Sequence, residues 1–222
     1  MIQTGTLYIV ATPIGNMGDI TFRAVEILKK VRFVACEDTR RTGGLFQKLN
    51  LPSKTFISFF EGNEIEKTEY ILSLLDVGND VILVSDGGTP LISDPGFKLV
   101  RECRKKDIKV ESIPGPTALI TALTLSGLPT DRFLFVGFPP KKSAKRLDFF
   151  KEITGKNLTV VFYESPHRIV ESLKDLKTAF GDIELVVCRE MTKIYEETLT
   201  NNISEVIKII KPRGEFTVVF RV

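Results

Sequence analysis

The chain has 222 residues, of which 43% are hydrophobic and 27% are charged, and its formal net charge is +3. These values exclude a largely disordered chain and fit one large globular domain or two small ones. The weak positive charge permits an anionic partner without requiring one. Three widely spaced cysteines form no C-x-x-C pair, so we predict neither a disulfide framework nor a metal site. No apolar run approaches the roughly 18 residues of a membrane span, so we expect a cytoplasmic protein without a membrane partner.

The first half of the chain alternates two kinds of segment. Short apolar runs rich in β-branched residues predict strands at 6–11, 32–37, 80–86 and 108–113. Helical spacing of apolar residues lies between them, at 19–30 and 65–78. Strands that alternate with helices predict an α/β fold with a mainly parallel sheet.

Pro114-Gly115-Pro116 interrupts this pattern, because it continues neither a strand nor the middle of a helix. We therefore predict two domains, residues 1–113 and residues 114–222. A short apolar helix is expected next, ending at Gly127. Further strands are predicted at 132–138, 157–165, 183–190 and 214–222, and helices at 144–153, 165–179 and 203–210. The shorter connections favour a mixed sheet with antiparallel pairs.

Three predicted strands of the first half run into loops at 11–19, 37–44 and 84–96. Ligands of α/β sheets collect beyond the carboxyl ends of strands. The third loop, SDGGTPLISDPG, has glycines beside Asp86, and Asp94 is placed to cap a helix that begins near Pro95. No phosphate-binding glycine motif is present.

These loops offer backbone polar groups and carboxylates with little positive charge. Such a site suits a ligand that carries an ammonium group and an adenosine but no phosphate, and S-adenosylmethionine has these features. The alternative is a turn that binds nothing. The shared character of the three loops favours the ligand.

Six motifs then occur in a fixed order, and together they span nearly the whole chain. They read LYIVATPIGNMGDIT, EDTRRTG, LVSDGGTPLISDPG, IPGPTALITALTLSGLP, FYESPHR and REMTKIYEE. This set resembles the RsmI family of 16S rRNA cytidine 2′-O-methyltransferases, which lies within the tetrapyrrole-methylase superfamily of class III methyltransferases.

The resemblance implies two α/β domains with S-adenosylmethionine in the cleft between them, and a homodimer. It implies methylation of a cytidine ribose in the decoding region of 16S rRNA, in the small ribosomal subunit. The cofactor contacts that it implies are Pro13, Ser85, Asp86, Gly87, Gly88, Thr89, Ser93, Asp94, Thr117, Ala118, Tyr163, Glu215 and Thr217.

A ribose hydroxyl is a poor nucleophile while it is protonated, so a positioned base is expected to help. Asp38 is the first candidate, and its alternatives are a salt bridge to Arg40 or a helix N-cap before Thr39. The other catalytic candidates are Arg40, Glu61 and His167. A solvated loop acid is the alternative for Glu61, and a structural role is the alternative for His167.

A basic run, KKSAKRLDFFK at 141–151, is the main candidate for RNA binding. The predicted RNA-binding residues are Arg41, Lys141, Lys142, Lys145, Arg146 and Lys193. A solvated helix face is the alternative for the run, and local ion pairs are the alternative for Arg41 and Lys193. Two other functions stay open: a methyltransferase of the same fold for a tetrapyrrole or other small molecule, and a ribosome-binding protein without catalysis.

Overall fold

The computed structural model describes residues 4–155 and 157–222. The chain divides into two compact units, of which the first ends at Thr117 and the second begins at Ala118. The described part of the chain has no helix that is long and apolar enough to cross a membrane.

The N-terminal unit is built on one parallel sheet. Its strands are β1 (Leu7–Val10), β2 (Phe33–Cys36), β3 (Thr55–Ser58), β4 (Val81–Val84) and β5 (Val110–Ile113). Its helices are α1 (Phe22–Lys30), α2 (Thr39–Lys48), α3 (Glu64–Asp76) and α4 (Phe97–Lys105), with a 3₁₀ turn at Met17–Asp19. The sheet order is β3-β2-β4-β1-β5, and every pairing is parallel. This confirms the predicted parallel sheet.

The two faces of this sheet are both covered, which explains why its central strands are continuous apolar runs. β1 and β4 are buried at all four positions. One face packs with α3 and α4 in a cluster around Ile71, Leu75 and Leu99. The other face packs with α1 and α2 in a cluster around Leu28 and Phe46.

The C-terminal unit contains a mixed sheet. Its strands are β6 (Phe133–Phe135), β7 (Thr159–Glu164), β8 (Glu184–Arg189), β9 (Glu197–Asn202) and β10 (Phe216–Arg221). Its helices are α5 (Ala118–Leu125), α6 (Ser143–Glu152), α7 (Ile169–Phe180) and α8 (Ile203–Ile209). The order is β6-β7-β10-β8-β9, with only the β6–β7 pairing parallel among these described strands. The predicted antiparallel pairs are confirmed.

Three elements were missing from the sequence prediction: β3, α2 and β9. The helix expected near Pro95 is present as α4, but Asp94 does not cap it. α4 begins at Phe97, and the backbone N–H of Gly96 donates instead to the buried carboxylate of Glu64, at 3.0 Å. Gly96 has a φ of 131°, which lets the chain turn sharply into the helix at that point.

Candidate functional site

The three loops singled out in the sequence leave neighbouring strands of the first sheet. β2, β4 and β1 are adjacent and parallel, so their carboxyl ends lie at one edge. The loop after β4 and the loop after β1 are joined directly. The N–H of Thr12 donates to the carbonyl of Gly88 at 2.9 Å, and the N–H of Gly88 donates back to Thr12 at 2.9 Å. The predicted grouping of the loops is therefore confirmed.

Gly87 and Gly88 allow this close approach of backbone to backbone. A Cβ on Gly87 would lie 3.3 Å from the carbonyl oxygen of Pro13. Gly88 has a φ of 86°, and a Cβ there would lie 3.2 Å from a methyl group of Ile14 and 3.7 Å from the carbonyl oxygen of Pro116. Gly87 thus leaves exposed main chain at the sheet edge, whereas the buried Gly88 lets the two loops pack together.

Side chains of the same loop fix its path. The hydroxyl of Thr89 donates to the carbonyl of Pro116 at 3.0 Å, which links the loop to the segment that holds Thr117. The hydroxyl of Ser85 donates to the carbonyl of Gly87 at 3.3 Å. Leu91 and Ser93 have φ values of 73° and 68°, which are unusual for residues with a side chain. Backbone strain of this kind concentrates at functional sites.

Carboxylates gather at this edge from two loops. Burial raises the pKa of Asp94, and the nearby carboxylate of Asp86 raises it further, while a hydrogen bond with Ser85 opposes both effects. Burial also raises the pKa of Glu37, with Asp86 and Asp94 adding to the shift. Like charges that are partly desolvated favour the arrival of a cation.

Asp38 lies beside this cluster as the N-cap of α2. Its carboxylate accepts the N–H of Arg40 at 2.8 Å and that of Arg41 at 3.4 Å. The backbone N–H of Arg40 is the main cause of its lowered pKa. Its own N–H donates to Asp86 at 3.1 Å, and Arg41 forms an ion pair with Asp86 at 3.2 Å. The cap alternative for Asp38 is therefore what the structure shows, and a cap at a helix start leaves its second oxygen for other partners.

A second set of predicted cofactor residues belongs to the C-terminal unit. Tyr163 on β7 lies opposite Thr217 on β10 in the sheet register. Its hydroxyl accepts the N–H of Leu119, in the first turn of α5 beside Ala118. Tyr163, Thr217 and Ala118 are therefore brought close together by the fold.

Glu215 and Lys193 are held in a local network. The Lys193 ammonium lies 2.8 Å from Glu190 and 2.9 Å from Glu215. Glu190 also accepts the N–H of Glu215 at 2.9 Å. Gly214 is needed here, since a Cβ at this position would lie 2.5 Å from the Glu190 side chain. The alternative of local bonding is the one that the structure shows for Lys193.

One predicted RNA-binding residue has a different role. Arg146 is only 3% exposed, and its guanidinium contacts Asp175 at 2.8 and 2.6 Å. Its Nη1 donates to the carbonyls of Pro140 and Lys141, both at 3.2 Å. A buried guanidinium that is held by Asp175 and by two carbonyls is not available to a phosphate, so Arg146 is corrected to a structural residue.

The other lysines of the run are exposed. Lys141, Lys142 and Lys145 form no ion pair with any residue that the structure describes. Arg40, Glu61 and His167 are also exposed, and their catalytic roles stay predictions. Within residues 4–155 and 157–222, no three potential metal-ligand side chains come together.

The sequence prediction missed three residues that shape the site. Glu37 lies within the quoted EDTRRTG motif but was not among the predicted site residues. The role of Glu64 could not be predicted from local sequence, because Gly96, whose backbone N–H it accepts, is 32 residues away. Thr12 has a buried hydroxyl without a hydrogen-bond partner among the described residues.

Comparison with known proteins gives a consistent result. A family model described as Tetrapyrrole (Corrin/Porphyrin) Methylases matches residues 6–207. "Ribosomal RNA small subunit methyltransferase I" of Hydrogenobaculum sp. (strain Y04AAS1) is 48% identical over 209 residues, which cover 94% of this chain and 90% of the relative. The protein of the same name from Thermotoga maritima is 44% identical over 219 residues, which cover 97% of both chains.

Solved structures share the fold at low sequence identity. Uroporphyrin-III-C-methyltransferase from Thermus thermophilus has a TM-score of 0.69 at 19% identity, with 97% of this chain and 94% of that chain covered. Diphthine synthase has a TM-score of 0.70 at 14% identity, with 97% and 89% covered.

Proposed function

Because this chain belongs to the tetrapyrrole methylases and, within them, to the ribosomal RNA small subunit methyltransferase I family, we propose that it methylates RNA of the small ribosomal subunit. One observation carries this conclusion: 48% identity to a relative of that name over 94% of the chain. The chain is a methyltransferase that uses S-adenosylmethionine. This cofactor supplies a methyl group on a positively charged sulfur.

The residues at the edge of the first sheet fit such a cofactor. Gly87 is exposed and has no side chain to cover its main chain, and Gly88 lets the loop after β4 pack against the loop after β1. Asp86, Asp94 and Glu37 provide negative charge whose like-charge repulsion a cation relieves. We propose that Pro13, residues 85–89, Ser93, Asp94 and Thr117 contact the cofactor.

In the C-terminal unit we propose Ala118, Tyr163, Glu215 and Thr217 as further cofactor contacts. The hydrogen bond from Leu119 to the Tyr163 hydroxyl supports this, because it fixes the ring at the start of α5. Thr217 is buried and lies opposite Tyr163 in the sheet register, which places it beside this proposed contact.

The methyl donor is already activated, so the protein mainly aligns the two reactants and removes one proton. We propose that Asp38 accepts the proton of the ribose 2′-hydroxyl when the hydroxyl oxygen takes the methyl group; the sulfur–carbon bond of the donor would break in the same step and S-adenosylhomocysteine would leave. The N–H groups of Arg40 and Arg41 fix the orientation of the carboxylate. The carboxylates around Asp86 contribute to cofactor affinity rather than to rate, because the positive charge on sulfur is lost during transfer.

We also propose that the methylated group is a cytidine ribose in the decoding region and that the enzyme is a cytoplasmic homodimer, as the family resemblance implies. The exposed lysines 141, 142 and 145 support RNA as the substrate, because they suit an RNA backbone. Arg41 can contact RNA only after its ion pair with Asp86 breaks.

The test uses the purified protein, cofactor labelled in its methyl group, and small ribosomal subunits that lack the modification. We expect label in 16S rRNA, at the 2′-oxygen of a cytidine when the modified nucleotide is mapped. Transfer to a porphyrinogen without label in rRNA would instead support the small-molecule alternative. Cofactor binding without transfer to either acceptor would support the non-catalytic alternative.

A further inference from the structure

An open groove lies at the carboxyl edge of β6 and β7 in the C-terminal unit. It encloses about 450 Å³ and is lined by Phe138, Pro139, Pro140, Lys141, Ser165 and Arg168. β6 and β7 are parallel, so the loops that follow them emerge at the same edge. Such edges are common ligand sites, and the volume is within the range of about 300–1,000 Å³ typical of small-ligand pockets.

Two arginines hold one wall of this groove in place. Arg168 pairs with the buried Glu164 at 2.5 Å and donates to the carbonyl of Pro139 at 3.2 Å. Arg146 pairs with Asp175 and donates to the next two carbonyls, those of Pro140 and Lys141. Three consecutive carbonyls are therefore fixed by charged donors, which makes the wall rigid before any ligand arrives.

The groove presents an aromatic ring. Phe138 is 54% exposed, although a phenylalanine with a packing role alone is usually buried. Its ring contacts that of Tyr163, with centroids 5.7 Å apart and an interplanar angle of 62°. Phe138 thus lies directly beside a residue that we propose as a cofactor contact.

The charged side chains at the groove that have no ion-pair partner among the described residues are positive. The charges of Arg168 and Arg146 are balanced by Glu164 and Asp175. Lys141 lines the groove and is exposed, and Lys142 follows it; neither has an ion-pair partner among the described residues. An anionic occupant is favoured over a neutral or basic one.

We propose that this groove binds one unpaired nucleobase of the RNA substrate, with the base stacked on Phe138 and its phosphate on Lys141. Single-stranded RNA is recognised by stacking of splayed bases on aromatic rings together with cations on the backbone. This proposal rests on the proposed function, since it assigns a subsite for the same substrate. It adds a residue, Phe138, that positions the RNA beside Tyr163.

The test measures binding of a fluorescein-labelled, single-stranded oligocytidylate by anisotropy at fixed salt. Phe138→Ala and Phe138→Leu should each weaken binding about tenfold, because both remove the ring. Phe138→Trp should bind at least as well as the parent protein. Phe133→Ala is the matched control: Phe133 is 40% exposed, lies at the other end of β6 and does not line the groove, so binding should not change.

A second measurement separates this subsite from the cofactor site. The KM for small subunits should rise by the same factor in Phe138→Leu, whereas the dissociation constant of S-adenosylmethionine should stay the same. Equal binding of the oligocytidylate by the parent, Ala and Leu proteins would overturn the proposal, and so would its failure to bind the parent. Displacement by a proline-rich peptide but not by unlabelled RNA would overturn it in favour of a protein partner.

The two proposals fail in different ways. If the parent protein transfers no methyl group to subunits but binds the oligocytidylate through Phe138, the proposed function fails, and the groove is a nucleobase site for an RNA that this protein does not methylate. If transfer occurs and the Phe138 variants bind like the control, the groove assignment fails alone.

Discussion

Asp38 combines two roles at the residue scale, and a conservative substitution separates them. Asparagine is as good an N-cap as aspartate, so Asp38→Asn should keep α2 and cofactor binding intact. The base is lost, and we expect the transfer rate to fall about 100-fold, the lower end for general bases, because the lowered pKa of Asp38 makes it a weak one. Single-turnover transfer to small subunits measures the rate.

Asp38→Ala is the companion variant, since it removes the base and the cap together. It should slow transfer as much as Asp38→Asn and also lower the free energy of unfolding by about 1 kcal/mol. Full activity of Asp38→Asn would remove Asp38 as the base. Glu37 would then be the next candidate, because its raised pKa makes it the stronger base of the two.

The pH dependence of cofactor affinity follows from the carboxylates near Asp86. The pKa values of Asp94 and Glu37 are raised above their ordinary 3.8 and 4.5, so acidification removes their charge earlier than that of exposed carboxylates. Affinity for S-adenosylmethionine should therefore begin to fall at a higher pH than the ordinary pKa values of exposed carboxylates would give. Calorimetric titration measures it, and S-adenosylhomocysteine, which lacks the sulfonium charge, should show a weaker dependence.

The stability of the cofactor-free protein should change in the opposite direction. A carboxyl group whose pKa is raised by folding binds its proton more tightly in the native state, so these two groups favour the native state as pH falls toward their ordinary values. Glu37→Gln should reduce the pH dependence of both the affinity for S-adenosylmethionine and the free energy of unfolding. If the affinities for S-adenosylmethionine and S-adenosylhomocysteine depended on pH in the same way, this would argue against a cation beside these carboxylates.

At the element scale, Gly88 in the loop after β4 is distinguished from other glycines by what surrounds it. Gly88 and Gly127 both have positive φ values, 86° and 67°, but a Cβ on Gly127 would meet nothing within 4 Å. Gly127→Ala should cost about 1 kcal/mol for its backbone conformation alone. Gly88→Ala adds contact with Ile14, so we expect about 2 kcal/mol and a weaker affinity for S-adenosylmethionine.

Urea denaturation and cofactor titration of the two variants measure these effects. Equal losses of stability would show that crowding at Gly88 is relieved without cost. Unchanged cofactor affinity in Gly88→Ala would remove the loop after β4 from the proposed site.

The predictable elements were those with a strong local signal. β1 and β4 are buried at every position, and their apolar runs identified them. β3 and β9 were missed because they are edge strands with polar, exposed residues such as Thr55 and Asn201. α2 was missed because Gly43 and Gly44 lie inside it, where glycine is unfavourable.

At the scale of the whole molecule, the sequence predicted which loops meet but not which side chains pair. The alternating pattern predicts that the strands are parallel, and parallel strands bring the three loops to one edge, but it does not give the strand order β3-β2-β4-β1-β5. The pair of Arg41 with Asp86 and that of Arg146 with Asp175 join residues far apart in sequence, and no local pattern encodes them. The structure divides into compact units after Thr117, and the boundary between independently folding domains at 113/114 stays a prediction.

The small net charge of +3 makes the local arrangement of lysines decisive for RNA affinity. If Lys141, Lys142 and Lys145 each neutralise one phosphate, replacing all three by glutamine should reduce the slope of log affinity against log salt by about 2, at roughly 0.7 per phosphate of a single strand. The control replaces Lys29, Lys30 and Lys48, which are exposed and have no ion pair among the described residues. It makes the same change in net charge, so its slope should stay near that of the parent protein. Equal slopes for the two triple variants would show that the RNA responds to overall charge and not to the start of α6.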